Sequence, residues 1–263
     1  MSKISGLSII LPTINEAENL KKLIPQIISE ISKISIPRFE IIIVDDGSTD
    51  NTIGLIKNLN EEFKFLKLIQ RDKPPSLPMS IWEGIDSSTY EYVLWMDADG
   101  SMPAKTVKNL VEVLIKNNNS VIIGSRFIDG GGYKGVKDLE NTSLFNAIRN
   151  VNDSNDSVFG MIFSIIFNKI LKILFKTSLT DITSGFIVGK KEYFKEESFI
   201  DANYGDYFIF LVSDFIRNKV DIIEIGYICE TRMFGTSKTA SNIFQLIRRG
   251  IPYIKVAIRI RRK

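Results

Sequence analysis

The chain has 263 residues, a formal charge of +3, one cysteine and no histidine. The missing histidine excludes Ser-His-Asp and Cys-His catalysis, His-ligated zinc and imidazole proton transfer, leaving Asp, Glu, Lys, Tyr or water for any proton. The lone Cys229 excludes an internal disulfide, and the length suits one large α/β domain with at most a small appendage.

Met1 to Gly6 lacks the charged start, apolar middle and small-residue cleavage site of a leader. No window of roughly 18 uncharged apolar residues predicts a membrane span. Leu7 to Leu11 predicts a first strand ended by Pro12, and Asn15 is placed as the N-cap of a helix with acids in its first turn. Leu20, Leu23, Ile24, Ile27, Ile28 and Ile31 recur at helical spacing. Phe39 to Val44 is apolar on both faces, as in a parallel sheet, and runs into Asp45 to Asn51, a turn and helix cap. A third strand spans Phe65 to Ile69, a proline loop follows Arg71, and Met79 to Ser87 predicts a short helix.

Val93 to Met96 is an apolar run short enough for a buried strand, and it stops at Asp97-Ala-Asp99-Gly100. Ligands of open α/β sheets bind beyond the carboxyl ends of the strands. Two carboxylates there are costly without a positive partner, and a hard divalent cation carrying a diphosphate would supply one. Pro103 opens a helix to about Lys116, and Val121 to Arg126 is the next strand. The alternation predicts a mostly parallel βαβ sheet flanked by helices. Three strand tips are acidic or polar: Pro12 to Glu16, Asp45 to Asp50, and Asp97 to Asp99.

Beyond Arg126 the pattern changes. Ile128 to Asp156 reads as an irregular segment over the site. Val158 to Lys176 is a strongly apolar helix carrying Lys169, Lys172 and Lys176, expected either in the core or in a membrane interface. Thr180 to Val188 enters a strand, Gly205 to Asn218 predicts a helix, Val220 to Cys229 a strand, and Glu230 to Lys238 a polar loop. Lys238 to Lys263 holds eight Lys and Arg and no acid, a basic amphipathic tail suited to anionic membrane rather than to nucleic acid, since no aromatic-and-basic recognition motif accompanies it. Residues 1–237 are thus expected to form the main domain and 238–263 a membrane-surface tail.

Six segments in order then resemble the inverting family-two glycosyltransferases, and within them the polyprenyl-phosphate sugar synthases of the dolichyl-phosphate mannose synthase type. They are Leu11 to Glu16, Val44 to Asp50, Met96 to Asp99, Ile123 to Phe127, Asp181 to Phe186, and Arg232 to Lys238. The resemblance implies a glycosyltransferase A-type fold, a nucleotide-sugar donor of GDP-mannose or UDP-glucose type, Mn²⁺ or Mg²⁺, and a polyprenyl phosphate acceptor. By the same match, Pro12, Asn15, Glu16, Asp45 and Asp46 would line the nucleoside pocket. Asp97 would border the ribose and first phosphate, and Asp99 would ligate the metal, with Asp97 and Ser101 beside it. Ser101 departs from the Gln often found there, and Pro74 to Met79 departs from a Gly-Leu-Gly-like turn. Arg126, Arg149, Arg232, Ser237 and Lys238 would hold the acceptor phosphate and leaving diphosphate. Asp181 would orient the acceptor or serve as base. The expected protein is peripheral, at the cytoplasmic face of a membrane, with a separate integral-membrane partner. Three other readings fit the sequence: transfer to a saccharide in surface polysaccharide synthesis, a non-catalytic nucleotide-sugar or lipid-phosphate binder, and a nucleotidyltransferase. The last lacks a recognisable glycine-rich, basic triphosphate loop.

Overall fold

A computed structural model of the chain describes residues 4–133, 136–137 and 158–234. A seven-stranded sheet forms the centre, in the order β3-β2-β1-β4-β8-β5-β9. Its strands are β1 (Leu7–Thr13), β2 (Phe39–Asp45), β3 (Leu66–Gln70), β4 (Tyr92–Trp95), β5 (Ser120–Ser125), β8 (Ile187–Lys190) and β9 (Asp221–Gly226). All pairings are parallel except those of β8, which runs antiparallel between β4 and β5. The order 3-2-1-4 reverses direction between β1 and β4, so the crevice beyond their carboxyl ends is the expected ligand site.

Buried apolar side chains cover both faces of the sheet. One layer rests on α1 (Ala17–Ile31) and α4 (Ala104–Lys116), whose Leu20, Leu23, Ile24, Val107, Leu110 and Leu114 form the buried stripes. The other includes α3 (Leu77–Asp86), α5 (Val158–Phe175), α6 (Glu197–Ile200) and α7 (Tyr207–Arg217). α2 (Thr52–Glu62) joins β2 to β3. A small sheet pairs β6 (Gly132–Tyr133) with β7 (Val136–Lys137) and β10 (Ile228–Cys229).

Several sequence expectations shift. Pro12 does not end β1, which continues to Thr13. The pairing of β1 with β4 begins at Leu7↔Tyr92 and ends at Ile10↔Trp95, so the nitrogen of Pro12 faces the side where β4 has already stopped and no ladder donor is needed. Asn15 is not the N-cap of α1, because Glu16 occupies that place. Asn15 instead adopts φ 56°, a region Asn tolerates, and its Oδ1 accepts from the amides of Thr49 (2.7 Å) and Asp50 (3.3 Å). Asp50 returns the contact by accepting from the Ala17 amide at 3.2 Å, so the loops after β1 and β2 brace each other. The strand expected over 220–229 is two, β9 and β10, and Gly132 in the expected irregular segment pairs with β10. Residues 138–157 and the tail 238–263 lie outside the described residues.

Candidate active site

The tips of β1, β2 and β4 surround a cavity of about 370 Å³. Pro12, Thr13, Ile14 and Glu16 come from β1 and its exit, Asp46 follows β2, and Asp97, Ala98 and Asp99 follow β4. Pro75, Ser76, Leu77 and Ser80 come from the entry to α3, and Arg232 from the loop after β10.

At the β2 end the two adjacent aspartates divide their work. The Asp46 Oδ1 is paired with Arg71, and its Oδ2 accepts from the Ser76 amide at 2.6 Å. Ser76 also caps α3, its Oγ accepting from Met79 N at 3.4 Å. The proline loop therefore ties the α3 N-terminus to Asp46. Asp45, expected on the nucleoside pocket, is not on the cavity wall. Its Oδ1 turns under the loop to accept from the amides of Gly47 (3.2 Å) and Ser48 (3.1 Å), an Asx-type use of the last strand residue. Asp45 Oδ2 is buried without a hydrogen-bond partner among the described residues. Asn15 is absent from the wall for the reason given above: its side chain serves the neighbouring loop.

At the β4 end the charges converge. Arg232 Nη2 lies 2.9 Å from Asp99 Oδ2, and Arg232 Nη1 lies 3.4 Å from Glu16 Oε1. Asp99 Oδ1 accepts from the Ser101 amide at 2.8 Å. Asp97 is partly exposed to the cavity, and its pKa is pushed up to about 7 by desolvation and by the charge of Asp99, against the lowering effect of Arg232. Glu16 raises it further and Arg126 lowers it. The site thus carries more negative charge than its guanidinium neutralises, which is the electrostatic setting a divalent cation fits. No group of three or more candidate ligand side chains occurs among the described residues. A cation here would take Asp97 and Asp99 and complete its shell from phosphate and water, as Mg²⁺ commonly does. Ser101 is not on the cavity wall: its amide serves Asp99 and its carbonyl accepts from Glu230 N at 2.8 Å.

Arg126 and Asp181, expected on phosphate and acceptor, bind one another. Arg126 Nε donates to Asp181 Oδ2 and Arg126 Nη2 to Asp181 Oδ1, both at 2.7 Å, a bidentate pair. The Asp181 side chain is fully buried, and neither residue lines the cavity. Burial works against the charge on Arg126, but the Asp181 carboxylate more than offsets it and holds the guanidinium pKa above its usual value. Asn168 of α5 braces this loop, accepting from Ile182 N at 2.7 Å and donating to Thr183 Oγ1 at 2.9 Å. Arg149, Ser237 and Lys238 lie outside the described residues.

The cavity also contains residues that sequence reasoning passed over. Asn203 and Tyr204 line it from the loop between α6 and α7. Their only sequence signal was polarity just before a helix.

Residues 8–197 match the family described as Glycosyl transferase family 2. A dolichol-phosphate mannosyltransferase of Pyrococcus furiosus is 34% identical over 125 residues, covering 48% of this chain and 34% of that protein. A poly-beta-1,6-N-acetyl-D-glucosamine synthase of Staphylococcus epidermidis is 34% identical over 118 residues, 44% of this chain and 27% of that protein. The matches therefore span between about a quarter and a third of these relatives' lengths. Among solved structures, glucosyl-3-phosphoglycerate synthase from Mycobacterium tuberculosis, in complex with Mn²⁺, UDP-glucose and phosphoglyceric acid, superposes with a TM-score of 0.63 at 17% identity. That alignment covers 98% of this chain and 80% of the other. A complex of the same enzyme with Mg²⁺ and UDP gives 0.58 at 16% identity, covering 97% and 79%. The likeness establishes the glycosyltransferase A-type arrangement of a mostly parallel sheet between helices.

Proposed function

The chain belongs to Glycosyl transferase family 2, and we propose that it is a glycosyltransferase that moves a hexose from a nucleotide-sugar to a polyprenyl phosphate at a membrane surface. The observation that carries the donor half is the convergence of Asp97, Asp99 and Arg232 at the mouth of the β1/β4 crevice. The nucleoside lies toward Pro12 and Asp46, and the diphosphate toward Asp97 and Asp99. Mn²⁺ or Mg²⁺, when bound to Asp97 and Asp99, supplies neutralisation of the diphosphate as it leaves.

The chain's own groups do the rest. Glu16 and Asp99 hold Arg232 at the cavity, where a guanidinium suits bidentate phosphate contact. Charge on a departing phosphate is met by that positioned cation, the usual main electrostatic contribution. A polyprenyl phosphate acceptor is anionic at neutral pH and needs orientation more than deprotonation, which suits an enzyme without histidine. Asp181, bound to Arg126, acts by holding that guanidinium rather than by taking a proton.

Two features favour a lipid acceptor. The mannosyltransferase of Pyrococcus furiosus carries dolichol phosphate in its name. α5 keeps Phe167 and Leu171 buried but leaves Ile166, Ile170 and Ile173 exposed, interleaved with exposed Lys169 and Lys172. Apolar side chains flanked by lysines are what an anionic lipid surface takes up. No helix of the described residues is long and apolar enough to cross a membrane; the contact proposed for α5 is with the membrane surface. The match to a polysaccharide synthase supports a second reading, transfer to a saccharide. Incubation with labelled UDP- or GDP-sugar, Mn²⁺ and polyprenyl phosphate separates the two. Chloroform-soluble label is expected. Label that enters only saccharide overturns the lipid acceptor.

A further inference from the structure

The cavity has three kinds of wall. One, from Pro12, Asp46 and Ser76, lies at the β1 and β2 tips, and another, from Asp97, Asp99 and Arg232, carries the charge. The third, Asn203 and Tyr204, belongs to neither. It carries no charge, only an amide and an aromatic ring with a phenol tip. Tyr204 is 55% exposed although it sits in a cavity wall.

This wall is held in place. Asp206 is buried, and its Oδ1 accepts from the amides of both Asn203 (2.9 Å) and Tyr204 (2.8 Å). The next residue, Tyr207, is fixed from below. Its hydroxyl accepts from Trp95 Nε1 at 3.3 Å, and its ring stacks on Phe199 at 5.7 Å with a 19° interplanar angle. Trp95 ends β4, two residues before Asp97. The Asn203–Tyr204 loop and the acidic tip are therefore built on the same buried aromatic cluster, with little freedom between them.

We propose that Asn203 and Tyr204 recognise the transferred sugar and set which hexose is accepted, with Asp206 as the residue that positions them. This rests on the donor reading above. A hexose offers hydroxyls and an apolar C–H face. An amide that donates and accepts, beside an aromatic face, matches both, in the manner of sites where a few polar groups orient a ligand against apolar walls. The diphosphate carries charge that this wall does not address, and the unchanged nucleoside diphosphate affinity expected below separates the sugar from the base.

The test uses the full chain with Mn²⁺, measuring nucleoside diphosphate affinity by calorimetry and kcat/KM for pairs of donors that differ at one sugar hydroxyl. Tyr204→Ala is expected to lower donor kcat/KM by about tenfold or more, with nucleoside diphosphate affinity within about twofold. Tyr204→Phe should retain most activity, because the ring remains. Asn203→Ala, and more weakly Asp206→Ala, should narrow the preference between paired donors. Unchanged kcat/KM and preference in all variants would overturn the proposal while leaving the donor reading in place. Equal loss of nucleoside diphosphate and donor affinity would overturn it too, by making the wall merely structural. Wild-type protein that binds no nucleoside diphosphate would overturn both.

Discussion

Arg232 reaches Asp99 across the mouth of the crevice, Nη2 to Oδ2 at 2.9 Å, and so binds a loop late in the chain to the tip of a central strand. The backbone repeats the link: Met233 N donates to the Asp99 carbonyl at 3.2 Å. Phe234 extends it to α1, where its carbonyl accepts from Asn19 Nδ2 at 3.3 Å and its ring lies 4.4 Å from Lys22 Nζ.

Gly100 makes that docking possible. Its φ is +79°, and a Cβ there would stand 2.8 Å from Cγ and Cε of Met233. Gly100→Ala is expected to cost about 1–3 kcal/mol in urea unfolding and to lower transfer, because it displaces the loop carrying Arg232. Full activity with native stability would show that the loop need not close on Asp99.

Asp181→Asn removes the only charge paired with Arg126 in the described structure. A buried charge left without its partner costs about 3–5 kcal/mol, so a large loss in unfolding free energy is expected. Native stability with abolished transfer would instead make Asp181 a participant in the chemistry.

Glu40 locks the opposite end of the sheet. It accepts from Ser8 Oγ and Thr89 N, both at 2.6 Å, and pairs with Lys67 at 2.6 Å. Burial would raise its pKa, but Lys67, Ser8 and Thr89 outweigh it and hold it below the ordinary 4.5. A depressed carboxylate contributes stability that is fully present above its unfolded value and is lost as pH falls through the folded one. The wild type should therefore lose stability below about pH 4.5, and Glu40→Gln should flatten that slope. At neutral pH the variant should be less stable by about 1–3 kcal/mol. Identical pH profiles of thermal unfolding would contradict this.

The exposed isoleucines of α5 predict membrane uptake. Ile166, Ile170 and Ile173→Ser together should weaken sedimentation with anionic vesicles by about tenfold or more, with donor hydrolysis unchanged. Salt should weaken wild-type binding through Lys169 and Lys172. Equal binding by the triple variant would assign the surface another role.

Much of this was legible in the sequence. Runs such as Ile41 to Val44 and Val93 to Met96 are apolar on both faces, so their strand character and the acidic tips were plain. What escaped was decided in three dimensions. Asp45 and Asp46 are identical in type and adjacent, yet the turn takes one and the cavity wall the other. Arg126 and Asp181 read as separate phosphate and acceptor groups because nothing in a sequence tells two distant charges that they will pair. The antiparallel β8 slots between β4 and β5 without any local signal of direction. Asn203 and Tyr204 lacked periodicity or a motif, and only their position above the Trp95–Tyr207 cluster brings them to the cavity.

Asp97 and Asp99 are proposed to grip a nucleoside diphosphate through a divalent cation. Calorimetric titration of UDP and GDP, with and without Mn²⁺, into wild type and Asp99→Asn tests it most directly. Binding of one nucleotide that requires Mn²⁺, and that Asp99→Asn loses by about a hundredfold while its melting temperature holds, is the expected result. Equal affinity with and without Mn²⁺, or in both proteins, would contradict it.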